Sequence, residues 1–190
     1  FTAAYFDEQG LYAFGRQPSA ALWNLSQLAS CLTLVADVSA LEPELQRFEG
    51  LYRAAFRKRM LAVLGLKPIS EEQDLALIKA LFAWMGETRA SWPQVFFDWF
   101  GGPASERRAG ASSLAKLYAQ PSFEPVRRAL LEHQPERPER LDHAYFEEEA
   151  PVSLVIEEVE ALWGHIAERD DWGPFSLHMA RIEKARQARA

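Results

Sequence analysis

The sequence predicts an all-α protein, and three observations support this class. Apolar residues recur at three- and four-residue steps through most of the 190-residue chain, first in the run from Leu22 to Leu32. Capping-box pairs precede two later runs, Ser39 with Glu42 and Ser70 with Gln73. The period-two alternation of a half-buried strand is scarce. Together these patterns predict an irregular bundle of seven to nine helices.

The first two helices have recognisable ends. The first begins at the Gln17–Pro18 step, because proline is tolerated in a first helical turn, and it fades near Asp37. The second begins at Ser39, with Pro43 in its first turn. It ends at Gly65, a residue type that commonly follows a helix C-terminus.

The remaining helices follow in the same way, separated by two irregular stretches. Residues 101–112 are predicted as a loop, because glycine, arginine and small residues dominate there. Residues 133–140 form a proline-broken connector. Further helices are predicted after Ser70, after Ser91, over 113–119, from Pro121 to about 132, over 153–168, and after a cap at Asp170 or Asp171. The whole chain is predicted as one helical domain, with 1–16 as a lead-in segment, 17–100 as the helical core, 101–112 as the loop and 113–190 as C-terminal helices.

Composition excludes several functional classes. The chain is 48% hydrophobic with a net charge of −6, which predicts a folded core and disfavours nucleic-acid binding. The basic residues Arg181, Lys184, Arg186 and Arg189 are interpreted as the solvated end of a last helix. The single cysteine, Cys31, excludes an internal disulfide and is predicted to be buried. No apolar run approaches the ~20 residues that span a bilayer, so no membrane partner is expected. The single cysteine suits a reducing compartment, so a cytoplasmic location is expected.

The chemistry-bearing residues assemble no recognisable catalytic motif. Gly101-Gly102 lacks the lysine and the preceding strand of a phosphate-binding loop. His143 and Glu147 have the spacing of two ligands on one helical face, yet a metal site needs more ligands, so solvated surface residues are the favoured interpretation. We therefore predict no catalytic, cofactor-binding or metal-binding residue in this chain. Tryptophans are predicted as core anchors at Trp84, Trp92, Trp99, Trp163 and Trp172.

The stretch GLYAFGRQPSAALWNLSQLA, residues 10–29, resembles a motif of the SelO family, also called YdiU. That family carries Gly-Arg-Tyr-Ala-Phe/Tyr-x-x-Gln-Pro followed by a Trp-Asn-Leu helix. The resemblance extends over roughly the first hundred residues, and residues 154–172 look like the tail of a bacterial branch. The matching positions are Gly10, Tyr12, Ala13, Phe14, Gln17, Pro18, Trp23, Asn24, Leu25 and Leu28.

The resemblance implies that the chain is the C-terminal part of a kinase-like fold. SelO proteins are protein adenylyltransferases, pseudokinases that use ATP and magnesium to transfer AMP to protein hydroxyl groups. The family's nucleotide-binding lysine, its glutamate partner and the metal-binding Asn and Asp all precede this motif, so none maps onto this chain. ATP and Mg²⁺ are thus implied only for a full-length parent, whose missing N-terminal kinase-like domain and protein substrates are the implied partners. Leu11 stands where the family has arginine, and Tyr5 and Phe6 stand where it has His and Ser before Asp7.

Two interpretations of the motif remain open. The motif is either a domain junction, where the first helix leaves the kinase-like core, or an ordinary helix start with a buried Trp23. In the junction interpretation, the side chains of Arg16, Gln17 and Asn24 form hydrogen bonds with polar groups of the kinase-like core. For the chain as a whole, the alternatives are a freestanding helical interaction module and a metal-dependent hydrolase built on His143. The predicted junction residues are Tyr12, Phe14, Arg16, Gln17, Pro18, Trp23 and Asn24.

Overall fold

A computed structural model describes Gly10 and residues 13–190 and confirms the all-α class. Over these residues the chain forms α-helices and short 3-10 helices with no β-strand, apart from an isolated bridge between Leu66 and Pro135. The α-helices are α1 (Gln17–Leu32), α2 (Val38–Leu64), α3 (Glu71–Thr88), α4 (Trp92–Asp98), α5 (Glu106–Ala111), α6 (Ala115–Tyr118), α7 (Glu124–Leu131), α8 (Ile156–Arg169) and α9 (Gly173–Arg189).

The chain divides into two compact units. The N-terminal unit is Phe1–Phe56 and the C-terminal unit is Arg57–Ala190, so that the boundary falls within α2. None of the described residues before Met60 is buried, whereas the C-terminal unit contains every buried residue of the described structure. The N-terminal unit therefore has no core of its own among its described residues.

The local signals in the sequence place several helix ends correctly. The Ser70 hydroxyl accepts a hydrogen bond from the Gln73 N–H at 3.2 Å, which confirms the capping box at the start of α3. Gly65 follows α2 with a φ of +64°, the left-handed conformation of a helix end. α2 begins at Val38, one residue earlier than predicted, so Pro43 lies inside the helix rather than in its first turn.

The predicted loop over 101–112 is wrong. Gly102–Ser105 forms a 3-10 helix and Glu106–Ala111 forms α5. Gly101 and Gly102 do serve as a turn, since both have positive φ, and a Cβ on Gly101 would lie 2.5 Å from Leu141 Cδ2. The glycine pair thus marks a close approach of two chain segments, and the arginine-rich residues after it are helical.

Two hydrophobic clusters form the core of the C-terminal unit. The larger gathers residues from the end of α2 and from α3, α4, α6 and α7 around an aromatic centre, where Trp84 and Trp99 lie 4.8 and 5.3 Å from Phe123 between ring centroids. The smaller joins α4 and α9 to the 3-10 helix Ala144–Glu147, with Phe100 stacked on Phe146 at 4.8 Å. Aromatic pairs of this kind each stabilise the fold by ~1 kcal/mol beyond their buried area.

A buried polar contact joins α3 to the end of α7. His133 and Asp74 are both fully buried, and the His133 Nε2 lies 3.1 Å from Asp74 Oδ1. Nδ1 of the same ring lies 2.9 Å from the Ala129 carbonyl oxygen. The Arg57 guanidinium approaches the other carboxylate oxygen at 3.7 Å. These contacts connect the start of α3 with His133 just after α7 and with α2.

Several burial predictions made from the sequence are wrong. Cys31 is exposed rather than buried. Trp84 and Trp99 are core anchors as predicted, but the other three tryptophans are not buried: Trp92, Trp163 and Trp172 are 39%, 62% and 52% exposed. An apolar stripe in a sequence shows which face of a helix seeks contact, but not whether the same chain supplies the neighbour.

Candidate interaction surfaces

The segment that resembles the SelO motif enters α1 through a tight 3-10 turn. Residues Phe14–Arg16 form a 3-10 helix, in which the Arg16 N–H donates to the Ala13 carbonyl at 2.7 Å. Pro18 lies in the first turn of α1, where its missing N–H leaves no helical hydrogen bond unmade. The predicted helix start at the Gln17–Pro18 step is therefore confirmed. Tyr12 lies outside the described residues.

α1 exposes apolar side chains on opposite faces. One stripe contains Leu22, Leu25, Leu28 and Leu32, which remain between 37% and 54% exposed. Trp23 is 64% exposed, and at about 100° per residue it lies across the helix from this stripe. No residue of α1 is buried. A helix that is apolar on more than one face is typically buried between neighbours, so α1 presents an incomplete contact surface.

The polar junction residues lie on the same exposed helix. Arg16, Gln17 and Asn24 are all exposed, and Phe14 before them is 59% exposed. The expectation that the three polar side chains satisfy groups at a junction stays a prediction. An ordinary helix start with a buried Trp23 is not what this structure contains, since Trp23 is mostly exposed.

The histidines of the described structure have structural surroundings. Within the described residues, no group of three or more His, Cys, Asp or Glu side chains is arranged to hold a metal ion. The His143 ring instead accepts a hydrogen bond from the Tyr145 N–H at 3.1 Å and caps the 3-10 helix Ala144–Glu147. His165 lies 3.7 Å from an Asp171 carboxylate oxygen near the turn between α8 and α9. The hydrolase alternative built on His143 therefore gains no support.

A second surface is an open groove in the C-terminal unit. This groove has a volume of about 1180 Å³ and lies between α5 with its flanking residues and the segment formed by residues 141–142 and 146–150. Phe97 and Asp98 of α4 also line it. We call it the α5 groove. Its α5 side carries Arg107 and Arg108, and its other side carries exposed carboxylates, so that its two sides have opposite charge.

The polar residues at the base of the α5 groove form a closed network around Asp98. This buried carboxylate accepts hydrogen bonds from Gln94 Nε2 at 2.8 Å, from the Ser112 hydroxyl and from the Tyr118 hydroxyl at 2.7 Å. Burial raises the pKa of Asp98 above its ordinary value, although these hydrogen bonds oppose the shift. Burial also raises the pKa of Tyr118. Asp98 therefore stabilises the junction of α4, α5 and α6, and its oxygens are already occupied by protein donors.

Arg108 connects the α5 groove to the aromatic core. Its Nε donates to the Phe97 carbonyl at 3.0 Å, and one amino group donates to the Phe100 carbonyl at 2.7 Å. The guanidinium lies 4.6 Å from the centroid of the Phe146 ring, within cation–π range. Burial lowers the pKa of Arg108 to about 10, so the side chain remains cationic at neutral pH.

Comparison with known proteins assigns this all-α chain to a family. The model of the family described as Protein adenylyltransferase SelO matches residues 1–183. The chain belongs to the SelO family, as its opening motif predicts. Among the described residues, no helix is both long and apolar enough to cross a membrane.

The relatives are longer proteins. A Protein nucleotidyltransferase YdiU of Gloeobacter violaceus is 30% identical over 97% of this chain, which corresponds to 39% of the relative. One from Trichodesmium erythraeum is 26% identical over 92% of the chain and 38% of the relative. One from Bordetella avium is 43% identical over 47% of the chain and 18% of the relative. The chain thus spans about two fifths of the length of the first two relatives. No solved structure matches it.

Sequence reasoning missed the α5 groove and the Asp98 network. Asp98 lies in an aromatic stretch of the sequence, and Arg107 and Arg108 lie in the predicted loop over 101–112. Asp98 is hydrogen-bonded to Ser112 and Tyr118, which follow it by 14 and 20 residues. Patterns within a single helix do not reveal contacts over such separations. The pairing of Glu148 with Lys184 at 2.8 Å and with Arg181 at 3.2 Å has no local signal in the sequence either.

Proposed function

We propose that this chain is the helical, non-catalytic region of a longer SelO-family pseudokinase that transfers AMP from ATP to hydroxyl groups of proteins. Membership of a family described as protein adenylyltransferases supports the reaction class. The share of the relatives that the chain spans, about two fifths, supports a division of labour within a longer protein. ATP and Mg²⁺ belong, in this proposal, to the kinase-like part that precedes the motif.

The observation that carries the proposal is the exposed apolar surface of α1. Completing the burial of a leucine that is half exposed contributes ~1 kcal/mol, since full burial of such a side chain contributes ~1.5–3 kcal/mol. The four leucines of the stripe and Trp23 on the other side together offer several kcal/mol to a covering surface. In this proposal, the preceding kinase-like domain supplies that surface. A reducing cytoplasm, where ATP is available and the exposed Cys31 stays a thiol, is the expected compartment.

The proposal is tested first by measuring AMP transfer. The longer parent protein and this chain alone are each incubated with α-labelled ATP, Mg²⁺ and a mixture of candidate acceptor proteins. We expect label on protein with the parent and none with the chain alone. Transfer by the isolated chain would contradict the assignment of catalysis to the preceding part, and a parent without transfer to any protein would contradict the reaction.

The role of α1 is tested with a matched pair of variants in the parent. Leu28→Glu places a charge in the apolar stripe of α1, and Gln46→Glu adds the same charge at an exposed position of α2, away from both apolar faces of α1. Since an unpaired charge is costly to bury, we expect Leu28→Glu to reduce transfer at least tenfold and to lower the melting temperature. Gln46→Glu should change both by little. Equal behaviour of the two variants would favour a freestanding interaction module over a surface covered within the parent.

A further inference from the structure

The α5 groove has two charged sides that do not neutralise each other. No ion pair joins Arg107 or Arg108 to a carboxylate across the groove in the described structure. The Arg108 guanidinium lies 4.6 Å from the Phe146 ring of the facing segment, and the arginines and the carboxylates line one open groove of about 1180 Å³ without pairing with each other. Such an arrangement leaves both sides available to a ligand that carries complementary groups.

The α5 side offers hydrogen-bond donors. Arg108 uses Nε and one amino group on carbonyl oxygens of its own chain and on the Ser105 hydroxyl, and its second amino group has no hydrogen-bond partner among the described residues. Arg107 next to it is exposed. A half-buried guanidinium that is fixed by three hydrogen bonds loses little conformational entropy when it binds a further acceptor. The natural acceptors for it are carbonyl oxygens or a carboxylate.

The facing side offers acceptors for cations. Arg181 and Lys184 of α9 donate hydrogen bonds to the Glu148 carboxylate. These contacts hold the segment of residues 146–150 against α9. Glu147 and Glu149 on either side of it are exposed, as is Asp142, and none of the three forms an ion pair with another described residue. Three unpaired carboxylates along one side favour a ligand with Lys or Arg side chains.

We infer that the α5 groove binds a peptide segment bearing lysine or arginine, supplied by the protein substrate of the parent enzyme. This inference rests on the proposed function, which makes proteins the acceptors. The basic side chains of the segment contact Asp142, Glu147 and Glu149, and its carbonyl oxygens contact the arginines of α5. A volume of about 1180 Å³ exceeds typical small-molecule pockets, which are ~300–1,000 Å³, and accommodates several residues of an extended chain.

Other ligand classes fit the α5 groove less well. A nucleic acid or a free nucleotide would bring its phosphates against three unpaired carboxylates, and like charges at short range are repelled. A divalent cation would need converging carboxylates, and the described residues include no such group of three or more. A peptide is the ligand that uses the donors of one side and the acceptors of the other at the same time.

The test is a direct binding measurement on the longer parent protein. The probe is a fluorescein-labelled eight-residue peptide of alternating lysine and alanine, and its comparison peptide replaces each lysine with glutamate. Fluorescence anisotropy is measured at low and at physiological salt. The groove variant is Glu147→Lys with Glu149→Lys, and the matched control is Glu157→Lys with Glu160→Lys on the exposed face of α8, which changes the net charge equally.

We expect the basic peptide to bind the parent and the groove variant to bind it at least tenfold more weakly. The α8 control should weaken binding by no more than about twofold, and the acidic peptide should bind poorly. A milder pair, Glu147→Gln with Glu149→Gln, should give an intermediate loss and serves if the lysine variant does not fold. Absence of binding, equal loss in the groove variant and the control, or equal binding of the acidic peptide would each overturn the inference.

This measurement is independent of the transfer assay. If the parent binds the basic peptide in the α5 groove but transfers no AMP, the proposed reaction fails and the binding site stands. If the parent transfers AMP but the groove variant binds the peptide normally, the reaction stands and the inference fails.

Discussion

Replacement of Gly65 by alanine should strongly destabilise the C-terminal unit. Gly65 has a φ of +64°, and for a residue with a Cβ the left-handed conformation costs ~1–2 kcal/mol. The added Cβ would also lie 2.8 Å from Cζ and 2.9 Å from Cε2 of Phe100. That ring is buried and stacked on Phe146, so it has little room to move, and overpacking of this kind costs ~1–3 kcal/mol. The two effects together predict a loss of roughly 2–5 kcal/mol.

The assay is urea unfolding of the chain, followed by circular dichroism. The control is Gly86→Ala inside α3, where an added Cβ would meet nothing within 4 Å. Since alanine is the better helix former, this variant should gain ~0.5–1 kcal/mol. The reasoning about Gly65 would be refuted if the free energy of unfolding of the Gly65→Ala protein lay within 0.5 kcal/mol of that of the unsubstituted chain while the Gly86→Ala protein gained stability.

Three further variants test the polar contacts of the C-terminal unit. Tyr118→Phe removes one donor from the buried Asp98 carboxylate and should cost ~1–2 kcal/mol in urea unfolding, whereas Tyr52→Phe at an exposed position should cost almost nothing. His133→Phe leaves Asp74 buried without its ring partner and should cost ~3–5 kcal/mol by the same assay; a loss below 1 kcal/mol would show that Arg57 suffices. Although burial acts to raise it, hydrogen bonds from Lys184 and Arg181 hold the pKa of Glu148 below its ordinary value, so its contribution is present above the unfolded pKa of 4.5 and is lost as pH falls through the folded pKa. Glu148→Gln should therefore lower stability at pH 7 by roughly 0.5–1 kcal/mol and flatten its decline below pH 4.5; an unchanged acid profile would contradict this.

The sequence predicts those parts of the fold that depend on neighbouring residues. The Ser70 cap, the Gln17–Pro18 start of α1 and the Gly65 end of α2 each rest on one local interaction, and each is present. A capping hydrogen bond spans three residues, so its signal survives in a short window of sequence. The family motif is local in the same sense, and it led to the correct family.

Contacts between distant residues could not be predicted. His133 and Asp74 are 59 residues apart, and nothing near either one indicates a buried pair. Residues 101–112 were interpreted as a loop because Gly101 and Gly102 dominated the pattern, although the glycines serve a close approach to Leu141 and Leu66 and the residues beyond them are helical. The prediction that Cys31 is buried is wrong for a related reason. The apolar stripe on α1 does not specify which surface covers the helix.

The two proposals concern surfaces that lie in different units, and this makes their failures separable. The α1 surface belongs to the N-terminal unit, whose described residues form no core of their own. The α5 groove belongs to the C-terminal unit, whose two hydrophobic clusters fix Arg108 and Glu148 without outside help. Leu28→Glu should thus reduce transfer at least tenfold while leaving the affinity for the basic peptide unchanged. The double variant Glu147→Lys with Glu149→Lys should weaken binding of the basic peptide while leaving the melting temperature unchanged. If Leu28→Glu also removed peptide binding, the C-terminal unit would not be structurally independent, and the inference about the α5 groove would have to be rebuilt on the assembled parent.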